Sequence, residues 1–354
     1  MSRFLTERVN NLKPYTPGEQ PKEREYIKLN TNESPFPPSE KAIAYASEAA
    51  ERLMLYPDPD CKELTAKMAE ELGVSSDNVI MTNGSDEVLN FAFMCYCDKK
   101  TPAYFPDITY GFYKVFAEVN GVPYEEIPLK NDLSIDLSDY EGRRGLIVIA
   151  NPNAPTGIYI PLAELEAFIA SNKNRIVVID EAYVDFGGES AVKLINKYDN
   201  LLVTGTFSKS RSMAGARLGF GVACPEIIAD LERVKYSTNP YNVNRMTAAA
   251  GIGSLCDREY FLDNCNSIIE NREYVTEELS RLGFVTTDSK ANFIFAASDK
   301  ISGEELYLKL KENGILVRYF GAERTKPYVR ITVGTKEQMD ALISAIKKIL
   351  EDVK

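Results

Sequence analysis

A lysine in a hydroxyl-rich segment is the residue of this chain whose surroundings best suit covalent chemistry. Lys209 lies in the segment 206–217, TFSKSRSMAGAR, directly after an apolar run. A lysine amine can form a Schiff base with a carbonyl group when its pKa is held near neutrality. Neighbouring hydroxyls and a guanidinium suit a phosphate dianion. Taken alone, the segment is equally compatible with a solvated loop.

An acidic residue ends a second apolar run. Asp180 closes the run 176–180, and Tyr183 follows three residues later. Ligands of α/β proteins bind at the carboxyl ends of the strands, and a carboxylate there can keep a pyridinium nitrogen protonated. Tyr183 is near enough in sequence to reach the hydroxyl group of such a ring. The alternative is an ordinary aspartate that caps a turn.

Two glycine-containing loops also follow apolar runs. In the first, Gly84 precedes Ser85 and Asp86 at the expected start of a helix, where free backbone N–H groups bind phosphate. In the second, NPNAPTG at 151–157, two X-Pro bonds that can adopt the cis form would make a rigid loop. Each loop alone is compatible with a plain turn. Together, the four segments predict a phosphorylated aromatic cofactor bound at strand ends and tethered to a lysine.

The elements that must position these residues alternate between strand-like and helix-like runs. The strand candidates are short and rich in valine and isoleucine, as strands buried on both faces are. They lie at 79–82, 103–105, 146–150, 176–180, 201–204 and 218–223. Helical segments between and after them lie at 85–97, 161–172 and 225–233. This alternation predicts an α/β fold with a mostly parallel sheet covered by helices.

The two ends of the chain have a different texture. Prolines keep residues 1–40 extended. Helical stretches are expected at 39–55, 244–282, 302–313 and 336–354, and further strands at 292–297 and 328–333. The expected organisation is an N-terminal arm at 1–40, a large cofactor-binding domain at 41–240 and a smaller α+β domain at 241–354.

Composition excludes several classes of function. The chain of 354 residues has a net charge of −11 and no histidine, so it cannot contain Ser-His-Asp or Cys-His machinery. An acidic chain is not expected to bind nucleic acid or an anionic membrane. Six cysteines without a CxxC pair argue against a metal site and for reduced thiols in a cytoplasmic protein. Neither a signal peptide nor an apolar run of about 20 residues is expected.

The order of the motifs resembles the fold-type-I aminotransferases, which use pyridoxal phosphate (PLP). The segments that carry this resemblance are NGSDE at 83–87, NPNAPTG at 151–157, DEAYVDF at 180–186 and TFSKSRSMAGARLGF at 206–220. Other segments resemble the histidinol-phosphate aminotransferases more narrowly: PYTPG at 14–18, LNTNESP at 29–35, YPDP at 56–59, PYNVN at 240–244, VRYF at 317–320 and VRITVGT at 329–335. The match is collinear over nearly the whole chain.

The resemblance implies a role for each matching cofactor residue. Lys209 would be the Schiff-base lysine, Asp180 would pair with the pyridine nitrogen, and Tyr183 would contact the ring hydroxyl. The matching phosphate-binding positions are Gly84, Ser85, Asp86, Thr206, Ser208 and Arg217. Tyr110 would stack on the ring, although a core tyrosine is the alternative.

One position departs from the family pattern. Many relatives carry an asparagine where this chain has Ala154, and that asparagine usually contacts the ring hydroxyl. Asn153 is the neighbouring residue that could replace it, and otherwise Tyr183 would act alone.

The resemblance also implies a substrate and an assembly. Arg330, Arg318 and Tyr15 match contacts to the phosphate end of the substrate. A guanidinium binds phosphate in a bidentate manner, whereas a surface salt bridge is the ordinary alternative. Tyr56 matches a tyrosine that reaches the cofactor phosphate of a partner subunit, which implies a homodimer with shared active sites. A surface tyrosine is the alternative there.

The implied reaction exchanges an amino group between L-histidinol phosphate and 2-oxoglutarate, in histidine biosynthesis. Its products are imidazole-acetol phosphate and L-glutamate. An aromatic amino-acid aminotransferase and a threonine-phosphate decarboxylase are the alternatives within this fold. A non-catalytic PLP-binding protein is a more distant one, which usually appends a basic DNA-binding helix pair. A dinucleotide enzyme would need G-x-G-x-x-G after a strand, and no such run occurs.

Overall fold

The computed structural model describes residues 2–12, 18–21 and 23–352. The first two elements are a short helix, α1 (Glu7–Asn10), and a two-residue strand, β1 (Ile27–Lys28). Two helices follow, α2 (Glu40–Ala50) and α3 (Lys62–Leu72). The Ser39 side chain caps α2 by accepting a hydrogen bond from Ala42 N.

Within the described ranges, seven strands form the large sheet. They are β2 (Val79–Thr82), β3 (Ala103–Pro106), β4 (Tyr124–Ile127), β5 (Leu146–Ala150), β6 (Val177–Asp180), β7 (Leu201–Thr206) and β8 (Gly219–Ala223). Their order is β2-β8-β7-β6-β5-β3-β4, and only the pairs that involve β8 are antiparallel. The helices between and after these strands are α4 (Ser85–Tyr96), α5 (Phe112–Asn120), α6 (Leu162–Ser171) and α7 (Pro225–Thr238).

The central strands are buried on both faces, which explains their unbroken apolar composition. Every residue of β5 and of β6 is buried. Phe93 of α4 and Phe116 of α5 belong to the apolar cluster on one face, whereas Leu165 of α6 belongs to the cluster on the other. Because β5, β6 and β7 are parallel, their carboxyl ends meet at one edge of the sheet, where α/β proteins place their ligands.

A second, antiparallel sheet lies in the last third of the chain. The elements of this part are α8 (Arg245–Leu255), α9 (Arg258–Arg281), β9 (Phe284–Thr286), β10 (Phe293–Ser298), α10 (Gly303–Glu312), β11 (Ile315–Leu316), β12 (Arg318–Tyr319), β13 (Tyr328–Thr332) and α11 (Lys336–Asp352). The strand order of the second sheet is β12-β13-β10-β9. Val275, Leu306 and Ile343 join the helices to this sheet in one apolar cluster. β1 pairs with β11 in parallel, which attaches the N-terminal arm to this smaller unit.

The structure confirms the predicted α/β class with a mostly parallel, mixed sheet covered by helices. It corrects several predicted boundaries. The helical stretch predicted at 244–282 is two helices separated at Cys256 and Asp257, and the helix predicted at 39–55 ends at Ala50. The sequence did not predict α1, α3, α5 or β4. The sequence of β4 is YEEI with two exposed glutamates, a polar pattern that suits a strand at the edge of a sheet.

Candidate active site

The carboxyl ends of the parallel strands surround a buried acid. Asp180 is the last residue of β6, and the strand register places Thr204 of β7 beside it. Asp180 is 4% exposed and accepts hydrogen bonds from the Tyr113 hydroxyl at 2.7 Å and from Thr204 Oγ1 at 3.1 Å. Burial raises the pKa of Asp180 to about 6, and the two hydrogen bonds oppose that rise. A carboxylate in this position gains strongly from a cationic partner.

The loop after β7 places Lys209 close to this acid. Lys209 Nζ donates to Thr31 O at 3.4 Å and lies 5.9 Å from the ring centroid of Tyr183. Burial, together with the positive charge of Arg330, lowers the pKa of Lys209 to about 8. An amine with this pKa is partly neutral near physiological pH, so it can act as a nucleophile or as a base.

Lys209 and Asp180 line one cavity that contains about 560 Å³ of empty space, including its mouth. Most of the cofactor-site residues predicted from the sequence lie in its wall. These are Ser85, Asp86, Tyr110, Asp180, Tyr183, Thr206, Ser208, Lys209 and Arg217. The other lining residues carry no side-chain hydrogen-bonding group: Ala150, Pro152, Ala154 and Ala182.

One end of the cavity combines a helix N-terminus with a guanidinium. α4 begins at Ser85, directly after Gly84, which has φ 80° and ψ 161°. A Cβ at Gly84 would lie 2.7 Å from Arg217 Nη2, so only glycine lets the guanidinium approach the helix start. Arg217 forms an ion pair with Asp86 at 3.2 Å, and its side chain is 48% exposed.

Two hydroxyls complete this end of the cavity. Thr206 Oγ1 donates to Ser208 Oγ at 2.9 Å, and Ser208 N–H donates to Thr206 Oγ1 at 3.0 Å. Hydroxyls, a guanidinium and the N-terminus of a twelve-residue helix are the donors that hold a phosphate dianion. The residues at this end therefore fit the phosphate of the predicted cofactor.

Two tyrosines form aromatic walls. The Tyr110 hydroxyl donates to Asp86 Oδ1 at 2.8 Å. The Tyr183 ring meets Phe293 edge-on with centroids 5.0 Å apart, and its hydroxyl accepts a hydrogen bond from Asn32 Nδ2 at 2.9 Å. Burial raises the pKa of both tyrosines, so both hydroxyls keep their proton at neutral pH.

Asn153 is tied to its surroundings rather than to the cavity. Its loop contains two cis peptide bonds, which precede Pro152 and Pro155. Asn153 Oδ1 accepts from Thr109 Oγ1 at 2.7 Å, and Nδ2 donates to Ile108 O at 3.0 Å. Both ends of the amide thus fasten the loop to the segment after β3. The predicted contact of Asn153 with the cofactor stays a prediction.

The two predicted substrate arginines lie opposite each other on neighbouring strands. Arg318 of β12 and Arg330 of β13 are cross-strand partners in the antiparallel ladder. The Arg330 guanidinium donates to Asn30 O at 2.9 Å and lies 5.4 Å from the Phe293 ring centroid. Like charges that face each other across strands repel, so this pair favours an anion nearby.

Tyr56 lies away from the cavity of its own chain. Its side chain is 78% exposed, and its ring stacks on Tyr241 with centroids 4.7 Å apart. The three residues before it, Leu53, Met54 and Leu55, are exposed as well. Tyr15, the remaining predicted substrate contact, lies outside the described residues.

Three residues that contact the predicted ones were not predicted from the sequence. Thr204 could have been found from the strand register opposite Asp180, and Tyr113 lies in the first turn of α5, three residues after Tyr110. Asn32 has no local signal, because Thr332, 300 residues away in the sequence, holds it in place.

Two other kinds of site are absent from residues 2–12, 18–21 and 23–352. Acidic and cysteine side chains in these ranges form no group that could hold a metal ion. None of the helices there has both the length and the apolar composition that a membrane crossing requires.

Comparison with known protein families gives a match over most of the chain. Residues 24–346 match the model of the aminotransferase class I and II family. A protein of Brachyspira hyodysenteriae named histidinol-phosphate aminotransferase is 48% identical over 356 residues, which cover 99% of this chain and 100% of the relative. A protein of the same name from Clostridium acetobutylicum is 48% identical over 351 residues, with 99% and 100% covered.

Solved structures share the fold. The histidinol-phosphate aminotransferase of Sinorhizobium meliloti, solved in complex with pyridoxal-5'-phosphate, has a TM-score of 0.91 and 22% identity, and the match covers 100% of this chain and 99% of that one. The C. acetobutylicum histidinol-phosphate aminotransferase structure has a TM-score of 0.84 and 25% identity, with 92% and 99% covered.

Proposed function

Because the chain belongs to the class I and II aminotransferase family, we propose that it transfers the amino group of L-histidinol phosphate to 2-oxoglutarate, with PLP as its cofactor. The products would be imidazole-acetol phosphate and L-glutamate, a step of histidine biosynthesis. The observation that carries this proposal is the full-length identity of 48% with histidinol-phosphate aminotransferases. The cavity supports it, since it combines an amine of lowered pKa, a buried acid and a phosphate-binding end.

Each of these cavity residues would contact a different part of the cofactor. Asp180 would face the pyridine nitrogen, Tyr183 the ring hydroxyl and Tyr110 the face of the ring. The phosphate would be held by the backbone at Gly84 and Ser85, together with Asp86, Thr206, Ser208 and Arg217. When bound, PLP supplies an aldehyde that captures amines and a ring that withdraws electrons from the substrate carbon.

Asp180 keeps a proton on the ring nitrogen. Its carboxylate is buried, and Tyr113 and Thr204 fix the direction of its oxygens. A buried carboxylate whose pKa is already raised to about 6 gains most from a positive charge placed beside it. Asp180 would therefore stabilise a protonated ring nitrogen more strongly than water does.

Lys209 Nζ would be the base that takes the proton from the substrate α-carbon, and its conjugate acid would be the donor that returns a proton. The chain contains no histidine that could do so. With a pKa of about 8, a substantial fraction of the Lys209 amine is neutral at physiological pH, and its conjugate acid is strong enough to give the proton back.

Arg318 and Arg330 would bind the anionic end of each substrate. The phosphate of histidinol phosphate and the carboxylate of 2-oxoglutarate both accept paired hydrogen bonds from a guanidinium. An anion beside this pair relieves the repulsion between two arginines that are cross-strand partners. Tyr15 would contribute from the arm.

The same proposal includes a cytoplasmic homodimer with shared active sites. The exposed apolar run 53–56, continued by the stacked ring of Tyr241, is a surface that suits a second copy of the chain. Tyr56 of each subunit would reach the cofactor phosphate of the other. The division into an arm at 1–40, a large domain at 41–240 and a small domain at 241–354 remains part of the proposal.

Absorbance and an amine-transfer assay test the proposal together. The purified protein should turn yellow when PLP is added, and it should form glutamate from 2-oxoglutarate and histidinol phosphate. Phenylalanine and threonine phosphate serve as competing substrates, and release of carbon dioxide would identify a decarboxylase. Lys209→Ala should lose both the colour and at least about 10³-fold of the activity, because it lacks the amine and the base.

Three outcomes would overturn the proposal. A protein that stays colourless with PLP is not a PLP enzyme. Faster transfer from phenylalanine than from histidinol phosphate would identify an aromatic aminotransferase. Wild-type turnover by Lys209→Ala would exclude the role given to that amine.

A further inference from the structure

The N-terminal arm reaches the wall of the cofactor cavity at one buried residue. Asn32 is 1% exposed and has φ 55°, a left-handed conformation that asparagine adopts more readily than most residues. Asn32 Nδ2 donates to the Tyr183 hydroxyl at 2.9 Å. A residue that lies outside the catalytic strands thus contacts the phenol assigned to the cofactor ring.

Residues from the last third of the chain hold the backbone and the side-chain oxygen of Asn32. Its backbone N–H donates to Thr332 Oγ1 at 3.0 Å, and its backbone O accepts from Asn292 Nδ2 at 3.0 Å. The Thr332 hydroxyl in turn donates to Asn32 Oδ1 at 3.2 Å. These three hydrogen bonds fix both the backbone and the side chain of Asn32.

The same hydrogen bonds determine which end of the amide faces Tyr183. Thr332 Oγ1 accepts the backbone N–H of Asn32, so its own proton is free to be donated to Asn32 Oδ1. With Oδ1 occupied as an acceptor, the NH₂ group is the end that meets the phenol. In this orientation the Tyr183 hydroxyl accepts the hydrogen bond from Asn32 Nδ2.

We propose that Asn32 is a positioning residue that directs the Tyr183 hydroxyl proton into the cofactor cavity. A phenol has one proton, and an oxygen that accepts Asn32 N–H on one side presents that proton on another. Tyr183 lines the cofactor cavity, and four of the other lining residues have no side chain that could accept this proton: Ala150, Pro152, Ala154 and Ala182. The inference rests on the proposed function, because the proton needs the ring oxygen of the cofactor as its acceptor.

The position of the proton has a measurable consequence. A donor aimed at the ring oxygen stabilises negative charge there and so lowers the affinity of the bound cofactor for a proton. Loss of that donor should raise the pH midpoint at which the visible absorbance of the PLP-loaded protein changes. A hydrogen bond to a charged group is expected to move such a midpoint by about one pH unit.

A double-mutant cycle between Asn32 and Tyr183 tests the proposal by spectroscopic titration. Asn32→Gly keeps the left-handed backbone and removes only the amide, and it should raise the midpoint by about one pH unit. Tyr183→Phe should raise it at least as much, and adding Asn32→Gly to Tyr183→Phe should raise it no further. Asn30→Ala is the matched control, since it removes another arm amide, which donates to Glu19 O, and should leave the midpoint unchanged.

Each result either supports or overturns the inference. It is overturned if Asn32→Gly does not shift the midpoint, or if its shift persists in full beside Tyr183→Phe. If Asn32→Gly does not fold, Asn32→Asp retains the acceptor for Thr332 but presents an oxygen to the phenol, and its shift must shrink beside Tyr183→Phe. A protein that takes up no PLP contradicts the proposed function, whereas additive shifts in a coloured, active enzyme contradict only the role of Asn32.

Discussion

At the scale of single residues, the proton on Lys209 should control capture of the cofactor. Burial and the charge of Arg330 lower the pKa of Lys209 to about 8, so the amine becomes neutral as the pH rises through that value. The rate at which cofactor-free protein takes up PLP should therefore increase about tenfold per pH unit below pH 8 and level off above it. The growth of visible absorbance between pH 6 and pH 9 measures this rate.

Two variants make the test specific. Lys209→Ala should develop no such absorbance at any pH. Arg330→Gln removes a positive charge that lowers the pKa of Lys209, so the midpoint should move to higher pH. A rate that does not change with pH would contradict the assignment of the neutral amine as the reacting species.

Two arginines six residues apart should respond in opposite ways to truncation. The Arg211 side chain is 6% exposed, and it donates to Glu71 Oε1 at 3.0 Å and to Ser254 O at 3.2 Å. Arg211→Ala removes a buried guanidinium and leaves buried Ser254 O without this donor, while the partly exposed Glu71 keeps Arg258 at 3.6 Å, so it should lower the free energy of unfolding by about 3 kcal/mol. Arg217 is half exposed, and loss of its ion pair with Asp86 should cost less than about 1 kcal/mol.

The same two variants should affect PLP affinity in the opposite order, with the larger loss for Arg217→Ala. Arg217→Ala removes a charged donor from the phosphate end of the cavity and should weaken PLP binding about 10- to 100-fold. Arg211→Ala should leave the affinity of the folded protein near that of the wild type. Urea unfolding of the cofactor-free proteins and PLP titration measure the two effects separately, and equal losses of affinity would refute the assignment.

At the scale of elements, the start of α4 depends on a glycine that can be compared with another glycine of the chain. Gly84 has φ 80° and ψ 161°, a region nearly restricted to glycine, and a Cβ there would meet Arg217. Gly73 ends α3 at φ 69°, and nothing lies within 4 Å of a Cβ at that position. Both alanine variants should therefore lose stability, by about 1 kcal/mol at Gly73 and about 1–3 kcal/mol at Gly84.

Only the Gly84 variant should affect the cofactor. An alanine at position 84 displaces the Arg217 guanidinium from the helix start, so the Kd for PLP should rise about tenfold or more. Gly73→Ala should bind PLP as tightly as the wild-type protein does, which PLP titration would show. Equal affinities for the two variants would mean that the close approach of Arg217 to the helix start does not matter for binding.

The sequence predicts the central elements well because local composition determines them. Continuous valine and isoleucine runs identify β5 and β6, and the acid that ends β6 and the lysine after β7 then fall at one edge of the sheet. β4 lacks such a signal, since it exposes its glutamates at the sheet edge. The break at Cys256 and Asp257 was missed because neither of these residues is a proline or a glycine.

The candidate site, like the fold, is predictable only where local sequence determines it. Asp180 and Lys209 lie in local motifs, so their types and spacing indicate the chemistry. Asn32 reaches Tyr183 only because the arm is fastened to β11 and β13, some 300 residues further along the chain. A hydrogen bond of that kind has no signature in any window of the sequence. The contacts of Tyr56 are unpredictable for another reason, since they would belong to a second subunit.

At the scale of the whole molecule, the proposed shared active site makes a prediction about mixtures of subunits. Tyr56 is 78% exposed on its own chain, whereas Lys209 lines the cavity. If each site takes Lys209 from one subunit and Tyr56 from the other, a heterodimer of Lys209→Ala and Tyr56→Ala subunits contains one site with both residues intact. Its second site lacks both.

Random exchange of the two variants should then restore activity that neither one has alone. Half of the dimers would be heterodimers with one intact site in two, so the mixture should recover about a quarter of the wild-type activity per subunit. Subunit exchange under mild denaturant, followed by the amine-transfer assay, measures this recovery, and mixing without exchange is the control. If Tyr56 instead served its own chain, the heterodimer would hold one site without Lys209 and one without Tyr56. The activity would then stay at the mean of the two parents, because no site in the mixture would be complete.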